Sequence, residues 1–273
     1  MAKRKSKLPA YRTGRLKWTK AFLWFLLVLA IVIISWQNKK YFRHAYRYFF
    51  YHYYKISSKP SDFPEGFEVH GIDVSHFQDI IEWNKLQALN TKGDTIRFQF
   101  VYIKATQGVL IEDNMFDENW EEAKDHHIVR GAYHYFMADR NPQVQALNFI
   151  ANVKMAKGDL PPAVDIEDDK GMSKQQIVSA LKEFLGDIED HYKVKPIIYS
   201  NINFIEDYLA DDFKDYSFWV SHYNQPDLEI DDDSLKCLFW QHSNKSDLLG
   251  INGNTDVDVF NGTRQQFDSL LVK

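Results

Sequence analysis

No aspartate or glutamate occurs among the first 55 residues, which carry 13 Lys and Arg side chains. The remaining 218 residues hold 20 basic and 38 acidic side chains, so a formal total of −5 conceals a basic arm and an acidic domain of net charge −18. An acidic domain of that kind argues against a nucleic-acid surface. Cysteine is nearly absent. The single Cys237 lies in the apolar run 235–240, which excludes a disulfide framework and a cysteine-based metal site. A buried, inert thiol is expected there. Ten histidines are present, yet no H-E-x-x-H or comparable ligand spacing occurs, so no metal and no cofactor is expected. A G-x-S-x-G elbow and a Gly-rich phosphate loop are also missing, which leaves serine acyl transfer and nucleotide chemistry without a motif.

What the arm does contain is an uncharged apolar run of 16 residues, Ala21 to Trp36, between Trp18 and Lys20 on one side and Lys39 and Lys40 on the other. At about 1.5 Å per residue it is slightly short for a hydrocarbon core of about 30 Å, and the flanking tryptophans extend it. Eight basic residues precede the run and four follow closely, which places the N-terminus in the cytoplasm. No A-x-A-like cleavage site follows Ile34, so the reading is an uncleaved signal anchor. Residues 1–20 are a basic cytoplasmic tail, 21–37 the transmembrane anchor, and 38–67 a juxtamembrane segment and linker. Aromatics mixed with cations between Tyr41 and Lys55 suit the headgroup layer.

Beyond the linker, short apolar runs recur at Val69–Val74, Phe98–Lys104, Val129–Phe136, Ala163–Glu167, Pro196–Ser200, Phe218–His222, Cys237–His242 and Asp256–Phe260. The first five start about 30 residues apart, with helical patterns in the gaps at Ile80–Leu89, Phe116–His126, Pro142–Met155 and Lys174–Tyr192. Asn141-Pro142 and Ser173 with Gln176 read as helix starts. The last three runs lie too close together for full crossover helices. The pattern predicts an α/β fold, an irregular (β/α) barrel of eight strands with about five outer helices, behind an N-terminal transmembrane helix. Polar residues at the strand ends then converge on one mouth: Asp73, Lys104, His134, Tyr135, Asp165, Glu167, Tyr199, Ser200, Ser221, His222, Gln241, Asp256 and Asp258.

Within that set, Asp165 and Glu167 stand two apart on a strand and project from one face, with Cβ atoms about 6–7 Å apart. Val164 and Ile166 take the other face. Two neighbouring acids, one protonated and one ionised, are what cleavage of a glycosidic bond requires. For a bare D-x-E the plain alternative is an acidic turn after a buried strand.

In order along the chain stand H-G-I-D-V-S (70–75), Y-I-K-A-T-Q-G (102–108), G-A-Y-H-Y-F (131–136), V-D-I-E (164–167), W-Q (240–241) and T-D-V-D-V-F (255–260). Together they resemble the glycoside hydrolase family 25 muramidases over residues 68–273. The resemblance implies an irregular barrel, and cleavage of the β-1,4 bond after N-acetylmuramic acid in peptidoglycan without a metal; a monomeric catalytic domain is expected. It implies that Glu167 is the general acid, with Asp165, Asp73 and Asp256 as its companion carboxylates. Their negative charge, with desolvation, is expected to raise the Glu167 pKa. Asp165 is expected to orient the substrate 2-acetamido group, although the Cβ spacing leaves substrate assistance, direct nucleophilic attack and inversion open. Lys104, Tyr133, Tyr135, Tyr199, Trp219, Trp240 and Gln241 are the expected substrate-binding residues. The family commonly has Glu where Gln107 stands, which marks that position as a supporting or substrate-contact site rather than as the acid.

Two other classes fit parts of the pattern. A catalytically inactive peptidoglycan-binding module on a tether would lack one of the acids, and all four are present. A chitinase-like hydrolase shares the i, i+2 acids, but Pro161 and Ala163 occupy positions where its longer acidic run would continue.

Overall fold

Along each apolar run one set of side chains turns inward and the alternate set outward, and this alternation organises the molecule. The computed structural model describes residues 22–31, 34, 61, 63–223, 225, 227–228 and 235–273. The chain divides into two units, Met1–Tyr54 and Lys55–Lys273.

In the first unit, residues 22–31 and 34 are helical with exposed side chains. Among the described residues no helix is long and apolar enough to cross a membrane. The basic tail 1–20, the remainder of the expected anchor, the segment 38–60 and Asp231–Asp233 lie outside the described residues.

The second unit is a closed barrel. Its strands are β1 (His70–Val74), β4 (Phe100–Gln107), β6 (Val129–Tyr135), β7 (Ala163–Asp165), β8 (Ile197–Asn201), β9 (Ser217–Ser221), β10 (Lys236–Asp247) and β11 (Asn254–Phe260). The short pairs β2 (Ala88–Leu89) with β3 (Thr95–Ile96), and β5 (Ile111–Glu112) beside β4, complete the strands. From β1 through β4 and on to β10 the neighbours pair in parallel, whereas β11 is antiparallel to both β10 and β1. That reversal matters for the site. The mouth lies at the C-terminal ends of the parallel strands, so β11 presents its N-terminal half there, and Asp256 pairs with Asp73 while Asp258 sits one inward position below, opposite Gly71.

Helices α1 (Phe116–Asp125), α2 (Pro142–Asn152) and α3 (Lys174–Tyr192) follow β5, β6 and β7. Asn141 accepts from Val144 N at 2.9 Å, and Ser173 with Gln176 forms the capping box expected of S-x-x-Q. After β8 there is one helical turn, Ile202–Phe204, running into the π-turn Ile205–Leu209. Helix α4 (Arg264–Leu270) closes the floor rather than the side, with Phe267 fully buried against Phe100 and Phe260. The expected helix over Ile80–Leu89 is instead a 3-10 turn (Trp83–Lys85) and strand β2. Its backbone is claimed by other segments: Glu82 N donates to Gly250 O, Gln87 O accepts from Leu249 N, and Leu89 O accepts from Ser61 N. A helix would need those groups internally. In the stretch read as linker, Phe63 packs its ring against His70, Phe98 and His242.

Two cores result. Outward residues such as Ile72, Val101, Ile103, Val164, Ile166, Ile198 and Val220 pack under the helices, while Phe100, Tyr102, Tyr133, Trp219, Phe239 and Phe260 fill the barrel interior. Glycines let the interior close. A Cβ on Gly71 would stand 2.3 Å from the Phe100 ring, and one on Gly131 would stand 2.4 Å from the Tyr102 ring. Tyr102 stacks in turn on Trp219 at 4.7 Å, and this aromatic layer is the floor on which the polar mouth rests.

Candidate active site

Above the aromatic floor opens a cleft of about 270 Å³, lined among others by Asp73, Lys104, Tyr133, Tyr135, Asp165, Glu167, Tyr199, Trp219, Gln241 and Asp256. All four expected acids therefore meet in one place, with six of the seven expected substrate-binding residues. Trp240 does not join them. It is fully buried on the opposite face from Gln241, its Nε1 donating to His222 O at 2.8 Å and its ring against Phe67 and His242. Neighbours on a strand cannot both face the mouth. The same alternation removes His134 and Ser200. His134 is buried between Thr106 and Gln145 and stacks on Phe184, and burial drives its pKa down to about 3. Ser200 Oγ donates to Ile166 O.

The four acids occupy unequal surroundings. Asp165, at the end of β7, is buried, and its Oδ1 has no hydrogen-bond partner among the described residues. Burial first, then the charge of Glu167, raises its pKa well above the usual carboxylate range, and Lys104 opposes the rise. Asp73 is buried and accepts from Gln241 Nε2 at 2.6 Å. Burial, followed by Asp256 and Asp258, raises it strongly. Asp256 is half-buried and is raised to about 6, by desolvation and then by Glu167. Glu167, beyond the strand, is exposed and lines the mouth. Its pKa is raised by desolvation, while Tyr199 and Lys104 pull it down.

The Glu167 pKa is raised as expected, with desolvation the largest cause, and its charge couples to the more enclosed Asp165 and Asp256, which it raises in turn. The enclosed acids hold protons tightly because an anion there loses more hydration.

Orientation of these groups is fixed by a polar network. Gln241 Oε1 accepts from both Tyr199 Oη (2.8 Å) and Tyr223 Oη (2.5 Å), so its amide nitrogen must face Asp73. Lys104 is the buried cation of the cleft. Its Nζ donates to Gln107 Oε1 at 2.7 Å and lies 4.8 Å from the Tyr135 ring centre, and burial lowers its pKa. Gln107 thus supports Lys104 from behind. Below, fully buried Asp258 accepts from Trp219 Nε1 at 2.7 Å, and burial raises its pKa well above the usual range.

Sequence reasoning missed Ser75, Phe77, Gln78, Tyr223 and Asn244, which also line the cleft. One signal was available: Ser75 and Gln78 form an S-x-x-Q capping box around the 3-10 turn His76–Gln78. Tyr223 lies beyond the end of β9, and Asn244 lies in β10 between Ser243 and Ser246, where the register shifts and the period-2 alternation is lost.

Such a cleft, with several acids of unlike proton affinity above an aromatic floor, is suited to acid-assisted cleavage of a polyhydroxylated substrate. The family model described as glycosyl hydrolases family 25 matches residues 72–251, stopping short of Asp256. The chain is 36% identical over 222 residues to the uncharacterized protein YegX of Escherichia coli strain K12, covering 81% of this chain and 80% of that one. It is 28% identical over 219 residues to lysozyme M1 of Streptomyces globisporus, covering 74% and 71% of the two chains. Among solved structures, a family 25 glycosyl hydrolase from Bacillus anthracis superposes with a TM-score of 0.67 at 26% identity, covering 80% of this chain and all of the other.

Proposed function

The chain belongs to glycosyl hydrolases family 25 and is a glycoside hydrolase, and from that premise we propose that it is a membrane-tethered muramidase. It hydrolyses the β-1,4 bond between N-acetylmuramic acid and N-acetylglucosamine in peptidoglycan glycan strands. The similarity to a lysozyme supports the substrate class.

The observation that carries the residue roles is the unequal setting of Asp165 and Glu167 in one cleft. Glu167 reaches the open mouth, where a glycosidic oxygen can approach it, and its raised pKa favours the proton it must donate. Substrate covering the mouth removes more water from Glu167 and strengthens that tendency. Asp165 lies deeper, where it orients the 2-acetamido group and stabilises positive charge as that group attacks the anomeric carbon. Asp73 and Asp256 shape the field opposite. Lys104, Tyr133, Tyr135, Tyr199, Trp219 and Gln241 hold the sugars.

Residues 21–37 serve as the anchor, with the N-terminus in the cytoplasm and the barrel on the extracytoplasmic side. The charge asymmetry of the arm supports this topology. Protease added to intact spheroplasts then removes the barrel and leaves the tail.

Glu167→Gln is the decisive variant for the reaction. It abolishes release of reducing ends from peptidoglycan while the far-ultraviolet circular dichroism and melting temperature stay near those of the parent. Near-normal lysis by that variant sinks the assignment. Mass analysis of the muropeptides must also find N-acetylmuramic acid at the new reducing end; N-acetylglucosamine there would mean a different bond is cut.

A further inference from the structure

A phenylalanine stands almost fully in solvent at the wall of this polar cleft. Phe77 is 79% exposed and lines the same cavity as Glu167 and Asp165. Covering such a ring would stabilise the chain. Here the loop holds it out. Its 3-10 turn, His76–Gln78, is closed by a reciprocal cap: Phe77 N donates to Ser75 Oγ at 3.2 Å, and Ser75 N donates to Gln78 Oε1 at 2.9 Å. Gln78 Nε2 then ties the turn to Asn254 O at the start of β11.

The ring itself has a backing. The His76 ring lies against it, with centroids 4.1 Å apart and planes 34° apart. His76 is in turn gripped by Asp113, whose Oδ2 accepts from the His76 backbone N at 3.0 Å and from Nδ1 at 2.8 Å. A carboxylate oxygen is an acceptor, so Nδ1 carries the proton. Asp113 is buried, and three further bonds fix it. Its Oδ1 accepts from Met115 N, its carbonyl accepts from Phe116 N at the start of α1, and its N donates to Ala105 O on β4.

We propose that Phe77 is a fixed stacking platform for one further N-acetylhexosamine ring of the glycan strand, and that His76 and Asp113 are positioning residues for it. The apolar face of a pyranose needs a flat, rigid, exposed aromatic beside a polar cleft, and such a face adds affinity without touching the reacting bond. The ligand class rests on the glycan-cleaving assignment above. The platform itself rests on the exposure of Phe77 and its triple restraint.

The test uses the full chain in detergent with peptide-free peptidoglycan strands of four and of eight sugars, and with chitin oligomers of the same lengths. The wild type is expected to favour the longer strand through a lower KM. Phe77→Ala is expected to remove that preference, raising KM on eight sugars roughly 5-fold to 10-fold with kcat within about 2-fold. Phe77→Trp restores it. His76→Ala and Asp113→Asn reproduce part of the KM increase on long strands only; a loss of kcat equal at both lengths would make them merely structural. A Phe77→Ala enzyme with wild-type KM at every length overturns the platform. Cleavage of chitin oligomers but not peptidoglycan overturns the muramidase reading alone, since the same length comparison is then read on chitin. Cleavage of neither overturns both.

Discussion

Gln241 Nε2 donates a 2.6 Å hydrogen bond to Asp73 Oδ2 across the barrel mouth, joining β10 to β1 although β11 lies between them. The same amide accepts from Tyr199 and Tyr223, so one side chain satisfies three others.

Gln241→Met keeps the size and removes every polar partner. The buried Asp73 carboxyl and two phenol hydroxyls each lose one hydrogen bond, at about 0.5–1.5 kcal/mol for each bond. Urea unfolding should show a free energy of unfolding lower by a few kcal/mol, and kcat/KM should fall with it. A variant as stable as the parent would mean that the network contributes nothing net.

Asp256 offers a pH test. Its carboxyl is raised to about 6, partly by the Glu167 charge, and that coupling is reciprocal. Taking away the Asp256 anion makes the Glu167 proton easier to lose. In Asp256→Asn the basic limb of the kcat/KM profile therefore moves to lower pH, while the acid limb keeps its place. A basic limb that stays put or moves upward contradicts the coupling.

Asp258 links pH to stability. Its folded pKa is raised by burial, so its stabilising contribution is complete below the unfolded value near 3.8 and is lost as pH rises toward the folded one. The slope is up to about 1.4 kcal/mol per pH unit for each proton held. His134 and His242, lowered to about 3 by burial, act in the opposite sense between 6.5 and 3. Comparing Asp258→Asn with the parent cancels the histidines. Across pH 4.5 to 7, guanidinium unfolding should show the parent losing stability relative to the variant, which keeps an acceptor for Trp219 Nε1 without the charge. Parallel curves would show that Asp258 ionises freely.

Cys237 should be inert. Its thiol is buried, with Sγ donating to Phe239 O, and its pKa is pushed up to about 12. Ellman's reagent at pH 8 should label none of it in native protein and all of it in guanidinium. Rapid native labelling would place it at the surface.

Much of the barrel was legible because period-2 runs and their spacing are local properties. Every one of the eight expected runs overlaps a barrel strand, and the D-x-E pair reaches the mouth because Val164 and Ile166 claim the helix-facing side. The helix over Ile80–Leu89 was misread because its backbone partners, Gly250, Leu249 and Ser61, come from distant segments. Trp240 was misplaced for a different reason. Its neighbour Gln241 faces inward, and only the register of β10 says which of the two does.

By itself the sequence determined the charge division of the chain, the strand rhythm and the acids at i and i+2, since composition and periodicity require no partner. The tertiary structure decided the rest. Reversal of β11 brought Asp256 to the mouth and left Asp258 beneath it. Closure of the barrel enclosed Asp73 and Asp165 more fully than Glu167. Proton affinity depends on how much water each carboxyl loses and on which charges stand beside it, and neither is fixed until strands distant in sequence meet.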